Sequence, residues 1–297
     1  MKPLEQLLPV APGTHLWTEQ RGSADAPPLL LIMGAGASGL GWPEPLVDAL
    51  AAHHRVIRYD HRDTGRSTWS YEQEPYRITD LATDALAVLD GLDVRRAHVV
   101  GLSLGGMLAQ LLIADAPDRL LSATLMGTAA LSTAPYTRPD GTLVPADELP
   151  GISPEILELW SQPVEDHGLE AELDRRVAHW RALAGDQLPF DAAYFRDLER
   201  RIIEHSGGYA TSPAHALADQ SDLLRTEALA TTEVPAHVIL APAEPVFPPP
   251  HAQHLTQAIR TAHLTEIPGM GHALPGPLLP DLAKAVLSHT TRATTSR

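Results

Sequence analysis

The chain has 297 residues, 22 Lys+Arg against 37 Asp+Glu, a formal net charge of −15 and no cysteine. That acidic balance, with no basic stripe to offset it, argues against a nucleic-acid partner, and the lack of cysteine removes disulfides, thiol nucleophiles and thiolate metal sites. No apolar stretch nears the roughly 18 residues of a membrane span, and Met1 to Pro12 lacks a basic segment followed by an apolar run, so a cytoplasmic protein without membrane contact is expected.

In chain order, Pro27-Pro28 leads into an apolar run over residues 29–33, of buried-strand length and closed by Gly34-Ala35-Gly36. A helix is expected from Pro43 to about Ala52, a strand over Arg55–Tyr59 and a polar turn from Asp60 to Ser67. Residues 78–92 place Leu81, Ala85, Val88 and Leu89 at helical spacing. A short apolar strand through Val99-Val100 then enters Gly101-Leu102-Ser103-Leu104-Gly105, and an apolar helix with Met107, Leu108, Leu111 and Leu112 follows, then a strand over residues 121–126. Near the end, residues 236–240 and 263–267 read as strands, 251–259 and 278–289 as helices. Strands alternating with helices imply a mainly parallel sheet covered on both faces.

Residues 131–232 break that rhythm. They read as helices without strands, over 154–162, 170–184, 191–205 and 213–230, and predict a helical cap inserted between core segments 1–130 and 233–297. This stretch holds Trp160, Trp180, Phe190, Tyr194, Phe195 and Tyr209, out of 14 aromatic residues in the chain. Most are expected to pack the cap's own core, with one or two lining a lipophilic pocket. Trp160, Trp180 and Tyr194, together with Phe247 farther along, are the candidates for substrate contact.

The chemistry centres on G-x-S-x-G between a strand and a helix, the context of a nucleophile elbow. The serine of such a turn projects clear of the chain, and the flanking strand and helix approach so closely that Gly101 and Gly105 must be nearly free of side chain. A serine hydroxyl needs a base to remove its proton and an acid to hold that base. His272, in Pro268-Gly269-Met270-Gly271-His272 after the last strand, is the candidate base. The acid is expected after the 236–240 strand, where Glu244 is the only carboxylate; its extra methylene, relative to aspartate, moves the carboxylate outward. Backbone N–H groups of Leu104, just after the nucleophile, and of Ala35, after the 29–33 strand, are the expected oxyanion donors. Asp60-His61-Arg62-Asp63 and His251-x-x-His254 look metal-like, but the first suits turn hydrogen bonds and the second has no third ligand at a suggestive spacing. No metal and no cofactor are expected.

These residues resemble the α/β-hydrolases, and among them the aclacinomycin-type anthracycline methylesterases. The resemblance runs over nearly the whole length. It is carried by Met33-Gly34 through Gly41-Trp42-Pro43, by Val56-Ile57-Arg58-Tyr59-Asp60-His61-Arg62-Asp63-Thr64-Gly65-Arg66-Ser67, by Ala97 to Ser103, by Ile267 to Pro275, and by the cap pieces Ala178-His179-Trp180-Arg181 and Leu188-Pro189-Phe190-Asp191. It implies a mostly parallel eight-stranded sheet flanked by helices, with an inserted helical cap. It also implies hydrolysis of a methyl ester on a lipophilic aromatic polyketide through an acyl-enzyme on Ser103, with His272 as base and Ala35 and Leu104 as oxyanion donors. The family has His-Asp-Pro where this chain has Ala243-Glu244-Pro245, and a Pro-rich Phe247-Pro248-Pro249-Pro250 follows. The competing expectations are a hydrolase scaffold turned to non-hydrolytic polyketide chemistry, such as cyclisation or decarboxylation, and a non-catalytic ligand binder.

Overall fold

The computed structural model describes residues 3–162 and 167–295. Leu4–Ala11 (β1) and Thr14–Arg21 (β2) form an antiparallel hairpin turned at Gly13, whose φ is +75°. Pro28–Ile32 (β3), Glu44–Ala51 (α1), Arg55–Tyr59 (β4), Ile78–Gly91 (α2), Ala97–Leu102 (β5), Leu104–Asp115 (α3) and Leu120–Met126 (β6) follow. After a long insert come Ala236–Leu240 (β9), His251–Ala258 (α9), Ala262–Glu266 (β10) and Leu279–Thr295 (α10). One sheet of eight strands results, in the order β1-β2-β4-β3-β5-β6-β9-β10. It is parallel from β4 onward and antiparallel only where β2 meets β1 and β4.

Alternation along the central strands sorts their side chains onto two cores. Leu30, Ile32, Val99, Leu125 and Val238 pack with α2, α3 and α9. Leu29, Leu31, Val100, Met126 and Ile239 pack with α1 and α10 on the opposite face. Strands covered on both faces favour apolar residues throughout, which is why β3 reads as a continuous apolar run and β5 and β9 as apolar runs each interrupted by one buried histidine, His98 and His237. The N-terminal hairpin carries no such run and was not anticipated: β1 is an edge strand with mostly exposed side chains. At the other edge, β10 lies one residue earlier than expected, pairing Ala262 with Ala236 and Glu266 with Leu240 of β9.

The insert between β6 and β9 departs from the expectation of helices without strands. Tyr136–Thr137 (β7) and Leu143–Val144 (β8) make a small hairpin, too short for alternation to register. Pro154–Ser161 (α4), Leu169–Ala184 (α5) and Ala192–Ser206 (α6) match expected helices closely. The helix expected over 213–230 is instead two short ones, Ala214–Leu217 (α7) and Thr226–Thr231 (α8). Between them Ser221 N–H donates to Asp219 Oδ1 at 2.9 Å, and Ile78 N–H donates to the Asp219 carbonyl at 3.0 Å, so this backbone is satisfied outside a helix. Residues 163–166 of the expected cap lie outside the described residues.

The chain leaves β3 for β4 on one side and returns to β5 on the other. The loops after β3 and β5 therefore diverge at the carboxyl end of the sheet, the place where doubly wound sheets open a crevice. The insert covers that end.

Candidate active site

Ser103 joins β5 to α3 with φ 58° and ψ −119°, a left-handed conformation that costs a non-glycine residue about 1–3 kcal/mol. A Cβ on Gly101 would sit 2.2 Å from the Gly105 carbonyl oxygen, and one on Gly105 would sit 2.0 Å from that of Ile32. No side chain fits at either position, so the two glycines permit the turn. Ser103 N–H donates to the Met126 carbonyl at 3.0 Å, which ties the elbow to β6. Its side chain stands at the amino end of α3, where first-turn amides lack intrahelical acceptors and the helix dipole favours negative charge.

Glu244 and His272, from the loops after β9 and β10, form a buried pair. His272 Nδ1–H donates to Glu244 Oε1 at 2.7 Å. The longer glutamate is accommodated by folding back on its own loop: Oε1 also accepts from the N–H groups of Val246 at 2.9 Å and Phe247 at 3.3 Å. Burial pushes the Glu244 carboxyl up, but the facing His272, its hydrogen bond and the two amides outweigh burial and hold it below the ordinary glutamate value. Gly127, at the end of β6, supplies the room. A Cβ there would lie 3.1 Å from both Glu244 Oε2 and His272 Nδ1. Reading the sequence for acids alone passed over it, although a glycine closing a central strand was the available signal. The insert anchors the His272 loop as well, since His272 N–H donates to the Leu183 carbonyl at 2.7 Å, at the end of α5.

Ala35 lies in the loop after β3, beside the elbow. Gly34 lets that loop come close, because a Cβ on it would be 3.2 Å from Ser103 Cβ. Leu104 is the first residue of α3, so its N–H has no intrahelical acceptor. Ser103, His272 and Ala35 all line one cavity of about 330 Å³.

Trp160 and Trp180 also line that cavity. Tyr194 and Phe247 do not. Tyr194 packs edge-on against Phe195 and donates its hydroxyl to the Leu274 carbonyl at 3.3 Å. Phe247 lines a separate small void behind Glu244. Their rings are spent on packing, Tyr194 in the aromatic column of Phe190, Phe195 and Trp180 that forms the core of the insert. One flank of the cavity is polar in a way the apolar reading missed. Arg176 bridges Glu172 at 2.6 Å and Glu199 at 2.8 Å, and Trp180 Nε1–H donates to Glu199 at 2.6 Å. Trp160 Nε1–H donates to Nε2 of His179 at 2.9 Å. Burial, then Arg175 and His272, push His179 down to about 4, so it is a neutral acceptor at ordinary pH.

The two metal-like motifs are committed to backbone and turn contacts. Asp60 accepts from Ser38 Oγ at 2.5 Å, Gly39 N–H at 2.8 Å and Arg66 N–H at 2.9 Å, and pairs with His205 at 2.7 Å. His251 donates to the Pro150 carbonyl and His254 to that of Ala134. A different trio, His237, His263 and His289, brings its nitrogens within 4.8 Å of one another. His237 and His263, however, stack face to face at 4.3 Å and 4°, so an ion in the plane of one ring lies outside that of the other. Arg292 also donates to Nε2 of His263 at 2.8 Å. Among the described residues no helix is long and apolar enough to cross a membrane.

Known proteins of similar sequence and fold place the chain in a family. The family described as the alpha/beta hydrolase fold matches residues 27–275. The chain is 42% identical over 285 residues to rhodomycin D methylesterase DauP of Streptomyces sp. (strain C5), covering 94% of this chain and 96% of the relative. Identity is also 42%, with the same coverage, to rhodomycin D methylesterase DnrP of Streptomyces peucetius. Among solved structures, a hydrolase from Pseudomonas aeruginosa PA01 superposes with a TM-score of 0.69 at 28% identity, over 96% of this chain and 97% of the other.

Proposed function

The chain belongs to the alpha/beta hydrolase fold family, and from that premise we propose that it is a serine carboxylesterase removing the methyl group from an ester on an anthracycline-like aromatic polyketide. The observation that carries the substrate class is identity to two rhodomycin D methylesterases along nearly the whole chain. The apolar walls of the cavity over Ser103, with Trp160 and Trp180 among them, suit a flat aromatic body.

In this reading Ser103 Oγ attacks the ester carbonyl while His272 takes its proton. Glu244, ionised below the ordinary glutamate value, holds Nδ1–H of His272 and so leaves Nε2 free as the base. The developing oxyanion accepts from the N–H groups of Ala35 and Leu104, and the amino end of α3 favours the same charge. Collapse of the tetrahedral intermediate breaks the carbonyl–methoxy bond, and His272 returns the proton to the departing oxygen as methanol leaves. Water, deprotonated by His272, then attacks the acyl-serine ester and releases the carboxylic acid and Ser103. Residues 131–232 act in this scheme as a cap that encloses the aromatic part of the substrate.

Incubation with a methyl-esterified aromatic polyketide should release one methanol per acid formed, and a fluorophosphonate should label Ser103. Ser103→Ala should lower turnover by a factor on the order of 10⁶. Turnover by that variant at the wild-type rate, or product of unchanged ester content, would remove the esterase reading and favour non-hydrolytic chemistry on the same scaffold.

A further inference from the structure

We propose that His215, delivered by the insert 112 positions beyond the elbow (215 − 103), is a positioning residue that sets the Ala35 N–H at the angle an oxyanion requires; the inference rests on the acyl-transfer reading above.

The loop after β3 is a tight turn. Ala37 N–H donates to the Gly34 carbonyl at 3.4 Å, with Ala35 and Gly36 at its centre and φ of +66° at Gly36. The first peptide plane of this turn, between Gly34 and Ala35, carries the donor of interest. The planes on either side are each held by an imidazole. Before it, the Met33 carbonyl accepts from Nε2–H of His61 at 3.0 Å. After it, Gly36 N–H donates to Nδ1 of His215 at 2.9 Å. Holding both flanking planes fixes the Gly34 and Ala35 Cα positions, and turning the plane between them would break the Gly34 carbonyl's bond to Ala37 N–H, so the two histidines and the turn together clamp the Ala35 N–H without touching substrate.

The chemistry of His215 suits that task. Because Gly36 offers a proton to Nδ1, that nitrogen must be bare, and Nε2–H donates to the Arg62 carbonyl at 3.0 Å. Both ring nitrogens are therefore used in one tautomer. His61 meets the ring edge-on at 5.5 Å, so the two imidazoles also brace each other. Burial, then the neighbouring His61, push His215 down to about 4, which keeps the acceptor intact across the neutral range. Thr211 and Ser212, just before this histidine, line the same cavity as Ala35 and Gly36. A substrate that seats against the insert thus presses on the segment that carries the clamp.

Three variants separate positioning from packing. His215→Leu removes the acceptor; His215→Gln keeps a donor near the Nε2 position without an acceptor at Nδ1; His215→Asn keeps an acceptor near Nδ1. With a methyl-ester substrate, His215→Leu and His215→Gln should lower kcat about 10- to 100-fold, the range for a misplaced oxyanion donor, with KM within about threefold. His215→Asn should recover most of that loss. Binding of a trifluoromethyl ketone analogue, which forms a tetrahedral adduct on the serine, should weaken in parallel with kcat, while affinity for the product acid stays unchanged. Wild-type kcat in His215→Gln, or equal losses in all three variants together with weaker product binding, would overturn the inference. If His215→Leu does not fold, the Gln and Asn pair decides alone. Absence of fluorophosphonate labelling and methanol release in the wild-type protein would instead mark failure of the esterase reading.

Discussion

Two groups of buried histidines occupy opposite ends of the same sheet. At the carboxyl ends of the strands, His272 faces Glu244 and lines the cavity over Ser103. Toward the amino ends, His98 on β5, His237 on β9 and His289 on α10 are more deeply buried than His272. Burial is followed there by the effects of neighbouring imidazoles and arginines, among them Arg96 and Arg292, and no carboxylate contributes. His98 and His237 are pushed down to about 3 and His289 to about 4. Burial disfavours the imidazolium in the distant group; what separates the two groups structurally is the carboxylate that faces His272 at 2.7 Å. The distant histidines, surrounded by arginines and other imidazoles, stay neutral at ordinary pH.

That contrast is breakable. The largest effect should come from Glu244→Gln, which keeps an acceptor near Nδ1 of His272 and deletes the facing charge, placing this histidine in the condition of the distant group. A loss of about 10⁴-fold in kcat is expected, and a loss under tenfold would show that hydrogen bonding alone suffices. Glu244→Asp retains the charge but withdraws it by one methylene from a 2.7 Å contact. Steady-state kinetics should show roughly a 10²-fold loss, the usual consequence of about 1 Å of misplacement; wild-type rates would mean the loop closes the gap.

The distant group should govern acid stability instead. His98, His237 and His289 have folded values of about 3, 3 and 4 against an ordinary 6.5. The unfolded chain therefore binds protons first. Their contribution to stability is complete above about pH 6.5 and is lost progressively as pH falls toward about 3 to 4. Denaturant titrations between those limits should show stability falling with pH, less steeply in His237→Gln, which keeps a donor for Thr265. That same variant should leave kcat at neutral pH unchanged, the smallest effect of the series. An altered kcat would mean that the two ends of the sheet communicate.

Much of this was legible along the chain because it depends on local pattern. Strands β3, β5, β6 and β9 are short, mostly apolar runs bounded by turn residues, and the doubly buried sheet favours such runs. Ser103, Gly101 and Gly105 lie within five positions, so one turn's sterics announce them. The N-terminal hairpin was harder to see because its edge strand β1 exposes most of its side chains. The β7–β8 hairpin and the division of α7 from α8 rest on short segments whose backbone bonds are settled by Asp219, Ile78 and the surrounding loops.

Local sequence by itself determined the elbow and the core strands, since each is set by residues adjacent in the chain. Only tertiary structure decided that the long side chain of Glu244 folds back to reach His272 beside a bare Gly127, that Trp180 rather than Tyr194 or Phe247 lines the cavity, and that His215 reaches Gly36. These contacts join residues 28, 117 and 179 positions apart, and at such separations a hydrogen bond or a missing Cβ acquires meaning only once packing has brought its partner into place.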